Sequence, residues 1–337
     1  MRMAIVGAGA IGGYLGVRLA RAGEAVSFIA RGANLAAIRA RGMRLVLEDG
    51  SEEHAADVRA FDRTADAGPQ DVILLTVKAH QVAALAPSLA AMCHDSTVVV
   101  TMQNGIPWWY FHGLQGEYAG RPVVSADPDG TIAVHIPASR VIGSVVYPAA
   151  ELVAPGVVQL VEGNRFSLGE PSGESTERVQ AVSQALTKAG FKAPVSADLR
   201  GEIWLKLWGN LSFNPISALT HATLVDICQF PPTRALAAAM MTEAQHIAEK
   251  LGVTFRISLE KRIAGAEKVG AHKTSMLQDV EQGKAIELQA LLGSVAELGR
   301  MTGIATPHID AVYACASLLA KTLETQHGRL AVQPTQG

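Results

Sequence analysis

At 337 residues the chain is too long for one ordinary core and suits two domains. Apolar residues make up 49% of it, and 29 basic against 31 acidic residues leave a formal charge of -2. With no basic stripe and no acidic tail, no nucleic acid and no membrane is expected as a partner, and a small molecule is. Cys93, Cys228 and Cys315 stand far apart, without a C-x-x-C or a Cys/His cluster. That spacing argues against a disulfide framework and against a zinc or other metal site, and it fits a reducing cytoplasm. The opening MRMAIVGAGAIGG has only a short apolar run, and no apolar stretch reaches the roughly 18 residues of a membrane span. A cytoplasmic, unexported protein is expected.

In chain order, β-branched runs at residues 3–6, 25–29, 72–77 and 97–101 alternate with helical patterns and read as strands buried on both faces. That is the pattern of a parallel, doubly wound sheet, an α/β fold of Rossmann type. From about 121 to 170, pieces punctuated by Asp-Gly, Pro-Gly and Glu-Gly suggest antiparallel strands that extend the sheet, and 175–190 reads as a helix. Beyond Asp198 the period is helical, with amphipathic segments near 235–251, 256–269, 284–300 and 308–324. The expected division is a nucleotide-binding domain at 1–197, an all-helical domain at 198–327 and a frayed tail at 328–337.

Gly7, Gly9 and Gly12 form G-x-G-x-x-G, with Ala8, Ala10 and Ile11 between them, after a predicted strand and at the start of a predicted helix. Gly7 permits a tight turn, Gly9 lets a pyrophosphate approach the backbone, and Gly12 lets helix and strand pack closely. The helix start offers N–H groups to phosphates. The second strand ends in Ile29-Ala30-Arg31, where NAD-binding chains carry an acidic residue for the ribose hydroxyls. A cation there favours a 2'-phosphate, hence NADP; the other reading is an exposed loop arginine. Lys78 and Asn104 fall at the carboxyl ends of strands, where ligands of open sheets collect. Each alone is also compatible with an ordinary loop residue.

The stretch EIWLKLWGNLSFNP, residues 202–215, reads as a buried helix on which Lys206, Asn210 and Asn214 share one stripe within about 80°. A lysine among Trp204, Leu207, Trp208 and Leu211 is costly to bury, so the stripe either satisfies a polar defect in the core or faces a ligand. Further on, Ser275 in TSMLQD reads alone as a helix cap, and Glu287 as a surface charge.

On the amino-terminal GAGAIG, Arg31, the TVKA around Lys78, the QNG around Asn104, EIWLKLWGNLSFNP, and TSMLQD followed by Glu287, the chain resembles the ketopantoate (2-dehydropantoate 2-) reductase family over nearly its whole length. The resemblance implies a Rossmann domain joined to a helical one, with NADPH and substrate in the cleft. It places the proton-donating lysine on Lys206, the substrate-binding asparagines on Asn210 and Asn214, and the substrate carboxylate on Ser275. Lys78 and Asn104 fall near cofactor and substrate, and Glu287 is shared between cofactor and catalytic network. Two features depart from the family. Glu287-Leu288-Gln289 stands where many members have Glu-Ile-Asp, and an insertion-like segment, 106–137, follows Asn104-Gly105. Its Trp108 and Trp109 either pack in the core or wall the cleft for a bulkier substrate.

The expected activity is NADPH-dependent reduction of a small 2-oxo acid, ketopantoate first; the sequence leaves the oligomeric state open, a homodimer included. A reductase of another 2-oxo or 3-oxo acid and a non-catalytic NADP-binding regulator are the alternatives.

Overall fold

The computed structural model describes residues 1–328. All but the first residue of the tail expected at 328–337 lies outside the described residues. The chain divides into two compact units, Met1–Leu199 and a second beginning at Arg200.

The first unit is built on β1 (Arg2–Val6), β2 (Ala25–Ile29), β3 (Met43–Val46), β4 (Glu52–Ala55), β5 (Arg59–Phe61), β6 (Val72–Leu75), β7 (Val98–Thr101), β8 (Val141–Val146), β9 (Ala149–Ala154), β10 (Val157–Glu162) and β11 (Phe166–Gly169). Seven of these form a sheet in the order β11-β8-β7-β6-β1-β2-β5. All its pairs are parallel except β11 with β8. The six parallel strands carry the doubly wound order in which ligands bind outside the carboxyl ends of the strands, where the winding reverses beside β1. β6 and β7 are buried at every position, as strands covered on both faces must be.

Of the antiparallel strands expected to extend this sheet, β11 alone does so. β9 and β10 join β3 and β4 in a separate sheet of order β4-β3-β10-β9. That sheet packs on the helix Ala10–Arg21, where a Cβ at Gly13 would lie 2.3 Å from Met43 Cε and 2.6 Å from Val158 Cγ2. Residues 121–140 hold no strand. Their one α-helix, Thr131–His135, begins where the buried Asp127 carboxylate accepts N–H groups of Ile132 and Ala133 at 3.0 and 2.8 Å. The helix expected at 175–190 is Glu177–Lys188, started by Thr176.

The second unit is helical among its described residues. It opens on the long helix Leu199–Thr220 and continues through Pro231–Lys250, Leu259–Val269, Ser275–Glu281, Ser294–Thr302 and Pro307–Thr325. Trp204, Leu207, Trp208 and Leu211 bury the first of these, and the Trp208 indole donates to Met241 O at 2.6 Å. The buried Glu243 carboxylate accepts N–H groups of His308 and Ile309 at 2.9 and 3.0 Å, so one helix starts another. The amphipathic segment at 284–300 is not one regular helix: residues 284–287 lie outside any helix or strand, and Gln289–Gly293 form a π-helical turn leading into Ser294–Thr302.

Candidate functional site

The glycine loop joins β1 to the helix Ala10–Arg21. Gly7 holds φ +107°, and a Cβ there would lie 2.7 Å from Val77 Cγ1 and 2.9 Å from Val77 N, so only glycine suits the turn. At Gly12 a Cβ would fall 2.0 Å from Gly7 O, which fixes how closely helix and strand approach. Beside Gly9 nothing lies within 4 Å, and no side chain caps the helix whose start it forms. An uncapped twelve-residue helix aimed past an open glycine suits a dinucleotide's pyrophosphate, which meets N–H groups and the positive end of the helix dipole.

Around this loop Thr76 Oγ1 donates to Gly7 O at 2.7 Å and Asn34 Nδ2 to Ala8 O at 2.5 Å, while Asn34 Oδ1 accepts from Gly156 N at 2.7 Å. Sequence reading missed both residues; Thr76 was visible two positions before Lys78, but Asn34 carried no local signal. Arg31 is exposed, in extended backbone directly before the helix Gly32–Arg41. That position is open to an anion at the end of β2.

Lys78 is half-buried and starts the helix Ala79–Leu89, its N–H donating to Gln81 Oε1 at 3.3 Å. Asn104 is half-buried in the bend after β7. Between them sits Gln103, a residue quoted within QNG but not singled out. Its amide nitrogen donates to Leu75 O at 2.7 Å and Val77 O at 2.9 Å, pinning the loop that carries Asn104 to the end of β6. Trp108 and Trp109 are 9% and 3% exposed, so most of each ring is buried.

In the second unit, Lys206, Asn210 and Asn214 lie on the helix Leu199–Thr220, with Asn214 buried and the other two half-buried. Lys206 reaches the surface as a residue, yet its ammonium is enclosed. Burial pushes its pKa from 10.5 down to about 8, and the Glu287 carboxylate works in the opposite direction. That interaction brings together two residues 81 positions apart, and it moves Glu287 from a surface charge to a partner of the lysine. Glu287 is half-buried immediately before the helical turn that opens at Leu288 and continues as the π-helical turn. In that turn Gln289 Oε1 would lie 2.3 Å from a Cβ at Gly293, so the residue replacing the family's aspartate folds back over its own helix. Ser275 is not the cap read from sequence: Thr274 Oγ1 accepts the N–H of Leu277 at 3.2 Å, and Ser275 is exposed as the first residue of the helix. Among the described residues, no group of three or more His, Cys, Asp or Glu is placed to hold a metal ion.

Two family models match the chain: Ketopantoate reductase PanE/ApbA over residues 3–173 and its C-terminal counterpart over 198–320. A 2-dehydropantoate 2-reductase of Mesorhizobium japonicum is 55% identical over 321 residues, covering 95% of this chain and 98% of that protein. A crystal structure from Ralstonia solanacearum, itself assigned to the ketopantoate reductases, superposes with a TM-score of 0.91 at 41% identity, covering 95% of this chain and 98% of the other. D-mandelate dehydrogenase bound to NADH and anilino(oxo)acetate superposes with a TM-score of 0.81 at 20% identity, covering 96% of this chain and all (100%) of that one, a likeness of fold alone.

Proposed function

The chain belongs to the ketopantoate reductase family and is an oxidoreductase of that type using a nicotinamide cofactor; from that premise we propose that it reduces 2-dehydropantoate to pantoate with NADPH, a step of pantothenate and coenzyme A biosynthesis in the cytoplasm. The observation that carries the reading is Lys206: an enclosed ammonium with its pKa lowered to about 8, held against Glu287 on the helix that also presents Asn210 and Asn214. A poised, partly desolvated cation is what the oxygen of a ketone needs as it becomes an alkoxide.

NADPH would be held at the glycine loop, with Arg31 on the adenosine 2'-phosphate and Lys78 and Asn104 on the nicotinamide end, and would supply the hydride; Glu287 is proposed as a further contact of the cofactor. The remaining work falls to side chains. Lys206 stabilises the developing oxyanion at C2 and gives it a proton. Asn210 and Asn214 donate to substrate oxygens, Asn104 orients the substrate, and the Ser275 hydroxyl meets the carboxylate. Glu287 holds the lysine in place. The decisive experiment follows NADPH oxidation against a panel of 2-oxo and 3-oxo acids. Turnover of 2-dehydropantoate above the others supports the reading, preference for a bulkier acid changes the substrate, and no turnover of any acid favours a non-catalytic NADP-binding protein.

Two further results are expected. Arg31→Ala lowers NADPH affinity about ten- to a hundredfold and leaves NADH affinity unchanged, the range of a charge-assisted hydrogen bond. Unchanged preference in that variant would remove Arg31 from the cofactor. Because the ammonium form of Lys206 is the active one, kcat/KM falls as pH rises through about 8. Stability moves the other way. The folded pKa lies below the ordinary 10.5, so between about 8 and 10.5 the unfolded chain holds the extra proton and folding gains as pH rises. Rates across that window check the first sign, and the difference in denaturant midpoint between the parent and Lys206→Met checks the second, because the thiols of Cys93 and Cys228 and the Tyr14 phenol, all raised by burial, pull stability the other way in both proteins.

A further inference from the structure

Trp108 and Trp109 are neighbours of equal chemistry, yet the fold treats their indoles differently. Trp109 is satisfied: Nε1 donates to Thr101 Oγ1 at 3.1 Å, and the ring fills the space that a Cβ at Gly143 would take, 2.6 Å from Cη2. Trp108 is 9% exposed, and its Nε1 is buried without an acceptor among the described residues. On the other side of Asn104, Gln103 has the complementary defect. Its nitrogen is used twice, on Leu75 O and Val77 O, while Oε1 is buried without a donor.

An unsatisfied donor and an unsatisfied acceptor therefore flank Asn104 on the loop that leaves the carboxyl end of β7, the rim where an open sheet binds its ligands. Leaving buried polar atoms unpaired costs stability. A position needing only a packed ring has no use for an N–H, and a buried donor normally finds an acceptor. We propose that Trp108 is a specificity-determining residue whose indole N–H donates to an oxygen of the substrate, with Gln103 Oε1 as the matching acceptor for a substrate O–H. This rests on the 2-dehydropantoate reading above and adds to it the residues that meet the hydroxyl side of the substrate. The substrate class that answers both groups is a 2-oxo acid carrying a hydroxyl, and the bond forms out of competition with bulk water.

The test compares 2-dehydropantoate with 2-oxo-3,3-dimethylbutanoate, the same acid without its hydroxyl, in the full-length protein and in Trp108→Phe. The parent is expected to prefer the hydroxylated acid, and Trp108→Phe to lose about ten- to a hundredfold of that preference in kcat/KM, the range for a buried hydrogen-bond partner. NADPH affinity is unchanged, because the deleted group faces the acid. Benzothienylalanine at 108 keeps the ring shape and removes only the N–H, so it should reproduce the kinetic loss without lowering the melting temperature. Trp109→Phe should do the reverse, lowering the melting temperature and sparing the preference. A parent that turns over neither acid removes 2-dehydropantoate as the substrate and overturns the hydroxylated acid inferred here. A parent that turns over either, combined with an unchanged ratio in the benzothienylalanine protein, overturns the role of Trp108 alone and makes it a packing residue.

Discussion

Replacing Lys206 by alanine is expected to lower turnover of the best 2-oxo acid by at least about a hundredfold, and by up to about ten-thousandfold, the span that positioned proton transfer supplies. Lost stabilisation of the oxyanion adds to the deficit. The effect falls on kcat because the negative charge that Lys206 meets develops only as the carbonyl is reduced. NADPH affinity should stay within about threefold of the parent's, since a uniform binding contact would have shown itself in KM instead. Lys206→Gln retains a hydrogen-bond donor without a proton to give, so it should recover substrate binding more than rate. Folding is not at risk from the lost charge. The ammonium is enclosed at a cost visible in its lowered pKa, and a side chain of equal volume without charge, as in Lys206→Met, should fold at least as stably. Turnover by Lys206→Ala within about threefold of the parent would make the lysine a satisfied core cation and return its helix to a structural role.

How far this site is legible in the sequence depends on whether the signal is local. The helix bearing Lys206, Asn210 and Asn214 declares itself because a period of 3.6 puts three polar residues on one stripe of an otherwise apolar segment. β1, β2, β6 and β7 are equally plain, since strands covered on both faces must be runs of apolar residues. β3 and β4 escape. They are four residues each: β4 is charged and partly exposed, as in Glu52-Glu53-His54, so propensity does not mark it, and the alternation of β3, Met43-Arg44-Leu45-Val46, is too short to stand out. Their partners β9 and β10 are visible as strands, but the sheet they join is set by pairing with β3, more than a hundred residues away. Glu287 is a similar case: its segment looks like the start of an amphipathic helix, whereas the π-helical turn at Gln289–Gly293 and the irregular residues before it break that helix. The choice between Thr274 and Ser275 as cap lies within the one-residue margin of sequence reasoning. Trp108 and Trp109 differ only in what their N–H groups meet, which no pattern of residue types records.

Alanine at Gly12 and at Gly9 should separate the fold's use of the glycine loop from the cofactor's. At Gly12 the added Cβ would stand 2.0 Å from Gly7 O and 2.7 Å from Thr76 Oγ1. The first is backbone and cannot rotate away, so the helix must retreat from β1, an overpacking that costs about 1 to 3 kcal/mol. In a unit of this size each 1 kcal/mol lowers the melting temperature by about 2 to 4 °C, so a fall of about 2 to 12 °C is expected without any ligand present. NADPH binding weakens as well, because the retreat carries the helix start with it. Gly9 is the opposite case. Its φ of -77° is ordinary for alanine and nothing lies within 4 Å of the added methyl, so Gly9→Ala should melt with the parent. The space it fills is the approach to the uncapped helix start, and a methyl between pyrophosphate and backbone costs the N–H contacts there, about 1.5 to 3 kcal/mol each for charged partners. A loss of at least about tenfold in NADPH affinity at unchanged melting temperature is therefore the expected result, read by fluorescence titration beside a thermal scan. Full NADPH affinity in Gly9→Ala would show that the pyrophosphate does not pass over this glycine, and a melting temperature lowered as far as in Gly12→Ala would show that the open space beside it is closed in solution.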